Sequence, residues 1–368
     1  MNDFGNKAIF NFEDDEGSKF DIKTLKEICV EDTENFFRVA MNYWYMKTFV
    51  GKESMHDLKG FLKTIKSALT LTINTNKWMQ EKTKQAAQLK LNKMLNYIAS
   101  PSEIKDDNQL DDYYKYTGTI SNENYAYAFK KMSKWIKHDE LTKLRETSDK
   151  EVALPSEVNA FYSHYDNKIQ ILIGFLSPPN FYAGAPLAVN VPAIGSTIGH
   201  EITHGFDNKG SKFDSTGIKH NWWDKRTQKQ YESKVKCFVD QYSKYVEPKT
   251  GKTVNGNITI GENIADNGAI HQAFTAYKIY AALKHPEKDL KLPGEMSRFT
   301  KDQLFFIAYA NTFCSDHSIR WINYALTDVH APDDSRVIVP LQNSQEFAKA
   351  FNCKKGSRMN PEEKCVLW

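Results

Sequence analysis

The strongest constraint on this 368-residue chain is the pattern His-Glu-x-x-His at residues 200–204. In an α-helix, four residues advance by about 400° and roughly 6 Å, so His200 and His204 lie one turn apart on nearly the same face. Both imidazoles can then reach one cation at about 2.0–2.1 Å. Glu201 is turned by about 100° from His200, which places it beside a water on that cation. The pattern therefore predicts a zinc site that activates water.

A catalytic zinc site needs a third protein ligand as well as an open position. Glu262 is the best candidate, because Glu262 and Asp266 are four residues apart and share one face of a predicted helix. One carboxylate can bind the metal while the other accepts the N–H of a liganding histidine. The alternative is that Thr259 and Glu262 form a capping box at a helix start, with Asp266 as a solvated surface charge.

The spacing of apolar residues predicts an α+β fold that is mainly helical. Helices are expected from about residue 21 to 144, with one running through residues 77–98 and a loop at 99–112. Residues 158–162 and 169–173 predict a β-hairpin, followed by a zinc helix that begins after Pro192 and a further helix at 222–245. An edge strand before a zinc helix suits a peptidase, because an extended peptide can pair with it. We place a domain boundary near residue 150.

Composition excludes several other classes of protein. The 49 Lys and Arg nearly balance the 46 Asp and Glu, and no basic stripe is present, which argues against nucleic acid as a partner. No apolar run reaches the 18 residues of a membrane span, and the polar start of the chain does not resemble a secretory signal. The five cysteines contain no Cys-x-x-Cys pair, so a cysteine zinc site is not expected. Their odd number leaves a free thiol, an intermolecular bridge or partners outside this chain.

Several collinear segments give the chain a resemblance to the neprilysin family of zinc metallopeptidases, which includes the endothelin-converting enzymes. Besides the His-Glu-x-x-His pattern, the matching segments are Asn159-Ala160-Phe161-Tyr162, Glu262-Asn263-Ile264-Ala265-Asp266, Thr327-Asp328-Val329-His330-Ala331-Pro332 with Arg336, and Cys365-Val366-Leu367-Trp368. The resemblance implies a thermolysin-like zinc peptidase domain with a small β-sheet over residues 151–368. Residues 1–150 would form part of a helical, lid-type region before it.

The resemblance also implies a role for each matching residue at the centre of the site. His200, His204 and Glu262 would hold one zinc ion per chain. Glu201 would take a proton from water and pass it to the departing amine. His330 would stabilise the oxyanion of the reaction.

The remaining matching residues would surround that centre. Arg336 would grip a carbonyl of the substrate, while Asn159 and Ala160 would pair with the peptide backbone. Asp266 would belong to the catalytic set by orienting one zinc-binding imidazole, and Asp207 would orient the other.

Two further expectations concern cysteines and length. By resemblance, Cys237 pairs with Cys365, whereas Cys29, Cys314 and Cys353 pair with cysteines in an upstream region that this chain lacks. Family members are longer and carry a membrane helix upstream, so the chain is expected to be a fragment, a truncated gene model or a natural short form. The implied location is outside the cell, as a plasma-membrane ectodomain or in the secretory lumen.

The chain departs from the family pattern at two places near the pocket for the residue after the scissile bond. Asn190-Val191-Pro192 stands where the family usually has Asn-Tyr-Gly, and Thr197 stands where it has an aliphatic residue. The family preference for large apolar residues at this pocket is therefore not carried over.

Taken together, these features predict a zinc-dependent endopeptidase that acts on short peptides. The first alternative is a chain that binds zinc and peptides, or a partner, without turnover. A zinc aminopeptidase is the second, but it needs an acidic anchor for a free amino terminus, and no such motif is evident. The sequence leaves the oligomeric state open.

Overall fold

The computed structural model describes residues 22–99, 104, 106–120, 124–143, 156–283, 286–288 and 290–368. These residues are mainly helical with one three-stranded sheet, so the predicted fold class is confirmed. The strands are β1 Leu95–Ala99, β2 Ala160–Ser163 and β3 Lys168–Leu172. The α-helices are α1 Ile22–Tyr45, α2 Gly51–Thr75, α3 Glu81–Lys93, α4 Asp107–Tyr114, α5 Tyr125–Lys143, α6 Leu187–Asn190, α7 Ser196–His204, α8 Lys225–Tyr242, α9 Ile260–Leu283, α10 Lys301–Asn311, α11 Ile319–Ala325, α12 Asp333–Asn343 and α13 Gln345–Ala350.

Contacts between Cα atoms divide the chain into two compact units. Of the described residues, the first unit contains those within 22–51, 98–158 and 172–174, and the second contains those within 52–97, 159–171 and 175–368. Residues 52–97 thus group with those that follow 159, whereas the domain boundary near residue 150 stays a prediction. Among the described residues, no helix is both long and apolar enough to cross a bilayer.

The first unit is built from α1, α4 and α5. Aromatic rings supply much of its packing, with the Phe36 and Phe129 centroids 5.2 Å apart and those of Tyr114 and Trp135 4.9 Å apart. The loop predicted through residue 112 is wrong in its second half, because α4 begins at Asp107. The side chain of Asp106 accepts a hydrogen bond from the backbone N–H of Gln109 and so caps this short polar helix.

The sheet has the order β1-β3-β2, with β2 at an edge. β2 and β3 are antiparallel, with Ala160 opposite Ile171 and Ser163 opposite Lys168, so the predicted hairpin is confirmed. The prediction of one helix through residue 98 is wrong, because α3 ends at Lys93 and β1 follows. The backbone turns extended at Met94, and the next N–H donates to the carbonyl of Asn167 in the hairpin turn at 2.9 Å.

The helix that carries the His-Glu-x-x-His pattern is α7, which begins at Ser196, after Pro192 as predicted. Helical backbone already precedes it, because α6 at Leu187–Asn190 leads into a π-turn at Val191–Gly195 that contains Pro192. Proline lacks the N–H that an α-helix needs, and the run is π-helical instead of α-helical where Pro192 stands.

α7 and α9 approach each other closely, and this contact brings the two halves of the site together. A Cβ atom on Gly199 would lie 3.2 Å from the Cα of Ala269, and one on Gly268 would lie 2.8 Å from the Thr203 side chain. A larger residue at Gly268 would therefore force the Thr203 side chain to shift, and one at Gly199 would press on the backbone of Ala269. Gln272 secures the contact by donating its amide N–H to the Thr203 hydroxyl at 3.0 Å.

The predicted disulfide between Cys237 and Cys365 is confirmed. It joins α8 to the C-terminal segment across a sequence separation of 128 residues, while Cys29, Cys314 and Cys353 are free cysteines. We expect the double variant Cys237→Ser/Cys365→Ser to lose about 2–4 kcal/mol of unfolding free energy, because the denatured chain gains freedom. Urea denaturation measures this loss, with Cys314→Ser as the control at an exposed free thiol. Equal stability of the double variant and the wild type would contradict the prediction.

Lys90 on α3 is a charged residue within the core of the second unit, with only 1% of its surface exposed. Burial lowers its pKa to about 7, although the charges of Asp207 and Asp214 act in the opposite direction. An unfolded lysine keeps a pKa near 10.4, so the unfolded chain binds more protons between about pH 7 and 10. The contribution of Lys90 to stability therefore rises with pH across this window.

The prediction is that wild-type unfolding free energy gains more between pH 7 and pH 9 than that of Lys90→Met, measured by urea denaturation at both values. Lys93→Met carries the same substitution at an exposed position of α3 and should follow the wild type. If the unfolding free energy changes equally with pH in the wild type and in Lys90→Met, the titration does not belong to Lys90.

Candidate metal centre and active site

Three side chains from α7 and α9 converge in a group that can hold a metal ion. The Nε2 atoms of His200 and His204 are 2.9 Å apart. The Oε2 atom of Glu262 lies 3.1 Å from the first and 3.3 Å from the second. These are the three residues predicted as metal ligands, and the structure brings all of them together.

The opposite nitrogen of each imidazole faces a carboxylate. Nδ1 of His204 lies 2.7 Å from Oδ2 of Asp207, and Nδ1 of His200 lies 2.8 Å from Oδ1 of Asp266, the second at an angle outside that of an ideal hydrogen bond. An N–H at Nδ1 leaves the lone pair of Nε2 directed at the other ligands. Each imidazole thus has one of these two carboxylates within 2.8 Å, and their role in orienting the rings stays a prediction.

The donor set fits zinc. Ligand atoms of a tetrahedral zinc at about 2.0–2.1 Å lie roughly 3.3 Å from one another, close to the three separations observed here. Two imidazole lone pairs and a carboxylate oxygen repel each other at this range unless a cation or a proton lies among them. Two nitrogens and one oxygen, each imidazole backed by a carboxylate, are the ligands typical of catalytic zinc.

Glu201 lies beside this group on α7, with 5% of its surface exposed. Burial raises the pKa of Glu201 above its ordinary value, and the charges of His200 and His204 oppose that rise. A carboxylate with a raised pKa is suited to accept and return a proton near neutral pH.

His330 reaches the same group from the segment between α11 and α12, with half of its side chain exposed. Its Nε2 atom lies 3.3 Å from Oε2 of Glu262, and its Nδ1 atom lies 2.8 Å from Oδ1 of Asp328. The hydrogen bond with Glu262 raises the pKa of His330, which favours a ring with an N–H on both nitrogens. Such a ring can donate toward a developing negative charge.

Arg336 on α12 makes a two-point ion pair with Asp266. Its Nε and Nη2 atoms donate to the two carboxylate oxygens at 2.9 Å each. Although burial favours the neutral carboxyl group, the charge of Arg336 lowers the pKa of Asp266 to about 2. The carboxylate that faces His200 is therefore held by Arg336, and a grip of this arginine on a substrate carbonyl stays a prediction.

A cavity of about 170 Å³ opens onto these residues. His200, Glu201, His330 and Arg336 line it, and so do Asn159 and Ala160 at the start of the edge strand β2. The backbone N–H of Ala160 donates to the side chain of Asn159 at 2.8 Å. The residues predicted to bind a peptide backbone thus share one cavity with those predicted to hold and use the metal.

Models of known protein families match two parts of the chain. A model described as Peptidase family M13 matches residues 159–367, and a second one with that description matches residues 5–101. The chain belongs to peptidase family M13. The first match contains every residue of the metal centre and its cavity, and the resemblance to neprilysin and the endothelin-converting enzymes is confirmed.

Relatives of this M13 chain cover nearly all of it. Neprilysin-1 of Trittame loki is 38% identical over 354 residues, which are 94% of this chain and 48% of that protein. Human endothelin-converting enzyme 1 is 35% identical over 346 residues, 93% of this chain and 44% of that protein. The chain thus spans about half the length of these curated relatives.

A solved structure of Mycobacterium tuberculosis zinc metalloprotease Zmp1 in an open state matches this M13 chain with a TM-score of 0.79 and 26% identity. The match covers 96% of this chain and 54% of that one. The fold therefore agrees with that of a zinc metalloprotease.

The capping-box interpretation of Thr259 and Glu262 is wrong. The Thr259 hydroxyl donates to the carbonyl of Asn255 at 3.1 Å, and Glu262 is directed at the histidines of the M13 metal centre. Gly199, Gly268 and Gln272, which set the distance between α7 and α9, were not predicted from the sequence. The sequence did contain an indication of the two glycines. A glycine inside an apolar helix lowers the stability of that helix, and close packing against a neighbour is a common reason for its presence.

Proposed function

We propose that this chain is the catalytic part of a zinc-dependent endopeptidase that hydrolyses internal bonds of short peptides. The single observation that carries the proposal is the convergence of His200, His204 and Glu262 beside Glu201 in a cavity that starts at an edge strand. Membership of family M13 supports it, and so do the names of the relatives.

In this proposal, some residues of the site bind the metal and others transfer the proton or stabilise negative charge. Zinc, when bound at His200, His204 and Glu262, supplies positive charge that acidifies water and polarises a peptide carbonyl. Glu201 accepts the proton of the attacking water and returns it to the departing amine. His330 donates toward the negative charge that develops on the carbonyl oxygen.

An extended peptide aligns along β2, whose outer side is not covered by another strand among the residues that the structure describes. Asn159 and Ala160 supply backbone contacts at this edge, as in β-strand addition. Pairing of this kind binds the backbone in the middle of a peptide and needs no free amino terminus. It therefore favours an endopeptidase over an aminopeptidase.

The test uses the purified chain, an internally quenched peptide of about ten residues and a chromogenic amide of a single amino acid. We expect zinc-dependent cleavage of the quenched peptide, lost with a chelator and restored by added zinc, and no cleavage of the single-residue amide. Preference for the amide would overturn the proposal in favour of an aminopeptidase. No cleavage despite stoichiometric zinc would favour binding without turnover, which the half-length match to the relatives makes the second candidate.

The cavity also suggests which side chains the substrate carries. Its wall includes polar groups at Asn180, Ser196, Thr197 and Thr312. The hydroxyls of Ser196 and Thr312 donate to backbone carbonyls at 2.9 and 2.7 Å, so their oxygens remain able to accept hydrogen bonds. These groups favour a small or polar substrate side chain, because a large apolar one leaves the remaining acceptor sites of their oxygens unfilled. Phe175 and Phe313 line other parts of the cavity.

We therefore expect Thr197→Val/Thr312→Val to shift the kcat/KM ratio of leucine-containing over glutamine-containing peptides about tenfold toward leucine. The matched control is Thr142→Val on the exposed face of α5, which should leave the ratio unchanged. A wild-type preference for leucine or phenylalanine would contradict this proposal.

The proposed location is extracytoplasmic. The Cys237–Cys365 disulfide supports it, since such bonds persist in oxidising compartments. Mass mapping of the protein from its natural source under non-reducing conditions tests this, and two free thiols at these positions would argue against it.

A further inference from the structure

Lys90 lies outside the metal centre, and no step of the proposed reaction uses it. Its Nζ donates to the carbonyl oxygens of Gly210 and Phe213, each at 2.7 Å. The rings of Tyr162 and Phe206 flank the ammonium group, with centroids 5.9 and 5.7 Å away. This buried lysine thus fixes the backbone of the loop that follows α7.

The same loop holds one of the carboxylates behind the metal centre. The backbone N–H groups of Lys209 and Gly210 both donate to Oδ1 of Asp207, at 2.7 and 2.6 Å. The other oxygen of that carboxylate, Oδ2, lies 2.7 Å from Nδ1 of His204. Burial opposes ionisation of Asp207, but the hydrogen bonds with His204 and the two N–H groups keep its pKa below the ordinary value.

The peptide of Gly210 therefore connects two sets of contacts. Its carbonyl accepts from Lys90, while its N–H donates to Asp207. The loop passes so close to the end of α7 that a Cβ on Gly210 would overlap the carbonyl oxygen of His204. A shift of this peptide displaces the Asp207 carboxylate and turns the imidazole that it holds.

We propose that Lys90 is a positioning residue for the metal ligand His204, acting through the Gly210 peptide and Asp207. The inference rests on the zinc site of the proposed function. It adds a lysine on α3 to the residues on which the affinity for zinc depends.

The test measures the zinc dissociation constant by competition with a chromogenic chelator for the wild type, Lys90→Met, Asp207→Asn and the double variant. Methionine keeps the length and apolar stem of lysine but removes its donors. Loss of a residue behind a metal ligand typically weakens affinity about 10–100-fold, and we expect Lys90→Met near the lower end and Asp207→Asn within that range. The double variant should bind about as weakly as Asp207→Asn alone, because both act on one ligand.

Lys93→Met is the matched control, because it makes the same change at an exposed position of α3 and should bind zinc like the wild type. Unchanged zinc affinity in Lys90→Met, with a lower melting temperature, would overturn the proposal and leave Lys90 a purely structural residue. If the fold-losses in zinc affinity of the two single variants multiply in the double variant, the proposal is also overturned, because Lys90 then acts on zinc binding independently of Asp207.

A gentler variant covers the case in which Lys90→Met does not fold. Lys90→Gln retains an N–H donor on a shorter side chain and should weaken zinc binding by about threefold. Wild-type affinity in folded Lys90→Gln would count against the proposal. Failure of the wild type to bind zinc would instead refute the metal site itself, so the two outcomes are distinct.

Discussion

Replacement of Glu201 by glutamine is expected to lower kcat/KM for peptide hydrolysis by about 10²–10⁴-fold, the usual contribution of a general acid–base residue. The amide has nearly the shape of the carboxylate but cannot accept the proton of water. Glu201 is not among the three residues that converge as metal ligands, so zinc binding should stay close to that of the wild type. Assay of the quenched peptide beside a zinc titration measures both quantities.

Glu363→Gln is the matched control, because it makes the same change at an exposed position near the C-terminus. Activity of Glu201→Gln within tenfold of the wild type would show that another group accepts the proton.

Replacement of Arg336 by methionine is expected to lower the unfolding free energy by about 3–5 kcal/mol, measured by denaturation with zinc removed. The two-point pair with Asp266 leaves 18% of the arginine side chain and 3% of the aspartate side chain exposed. Loss of the guanidinium leaves a buried carboxylate without its counter-charge, although Nδ1 of His200 still lies 2.8 Å from it.

Adding Asp266→Asn to Arg336→Met should recover part of the loss, because the variant no longer buries an unpaired charge. Arg298→Met provides the comparison at an exposed pair with Glu295 and should cost less than about 1 kcal/mol. A loss below 1 kcal/mol for Arg336→Met would mean that water reaches Asp266 and replaces the arginine.

The candidate metal ligands could be found from the sequence because residues four apart in an α-helix point to nearly the same side. Four residues separate His200 from His204 and Glu262 from Asp266, and both pairs lie on helices. The roles of His330 and Arg336 needed the resemblance, since these residues are far from the motif in sequence, whereas Asp207 follows His204 by three residues. Their positions depend on the packing of α7 against its neighbours.

Errors in the predicted elements arose where hydrogen bonds, local at α4 and long-range at β1, outweigh apolar spacing. α4 has few apolar residues, but the side chain of Asp106 caps its first turn. β1 follows α3 with further apolar residues, yet it pairs as a strand. In the sequence, Lys90 is one of several lysines in this helical segment. The spacing of residues in α3 does not reveal that the ammonium group of Lys90 donates to two backbone carbonyls of a loop distant in sequence.

The close contact of α7 with α9 has a consequence for the energetics of metal binding. Gly199, Gly268 and the Thr203–Gln272 hydrogen bond lock the two helices together through groups that do not touch the metal site. The ligands are thus arranged before zinc arrives, unlike those of small zinc domains that fold only with their metal. Chelation should therefore leave the far-ultraviolet circular dichroism spectrum unchanged, and calorimetric titration should show little of the heat-capacity change that accompanies coupled folding.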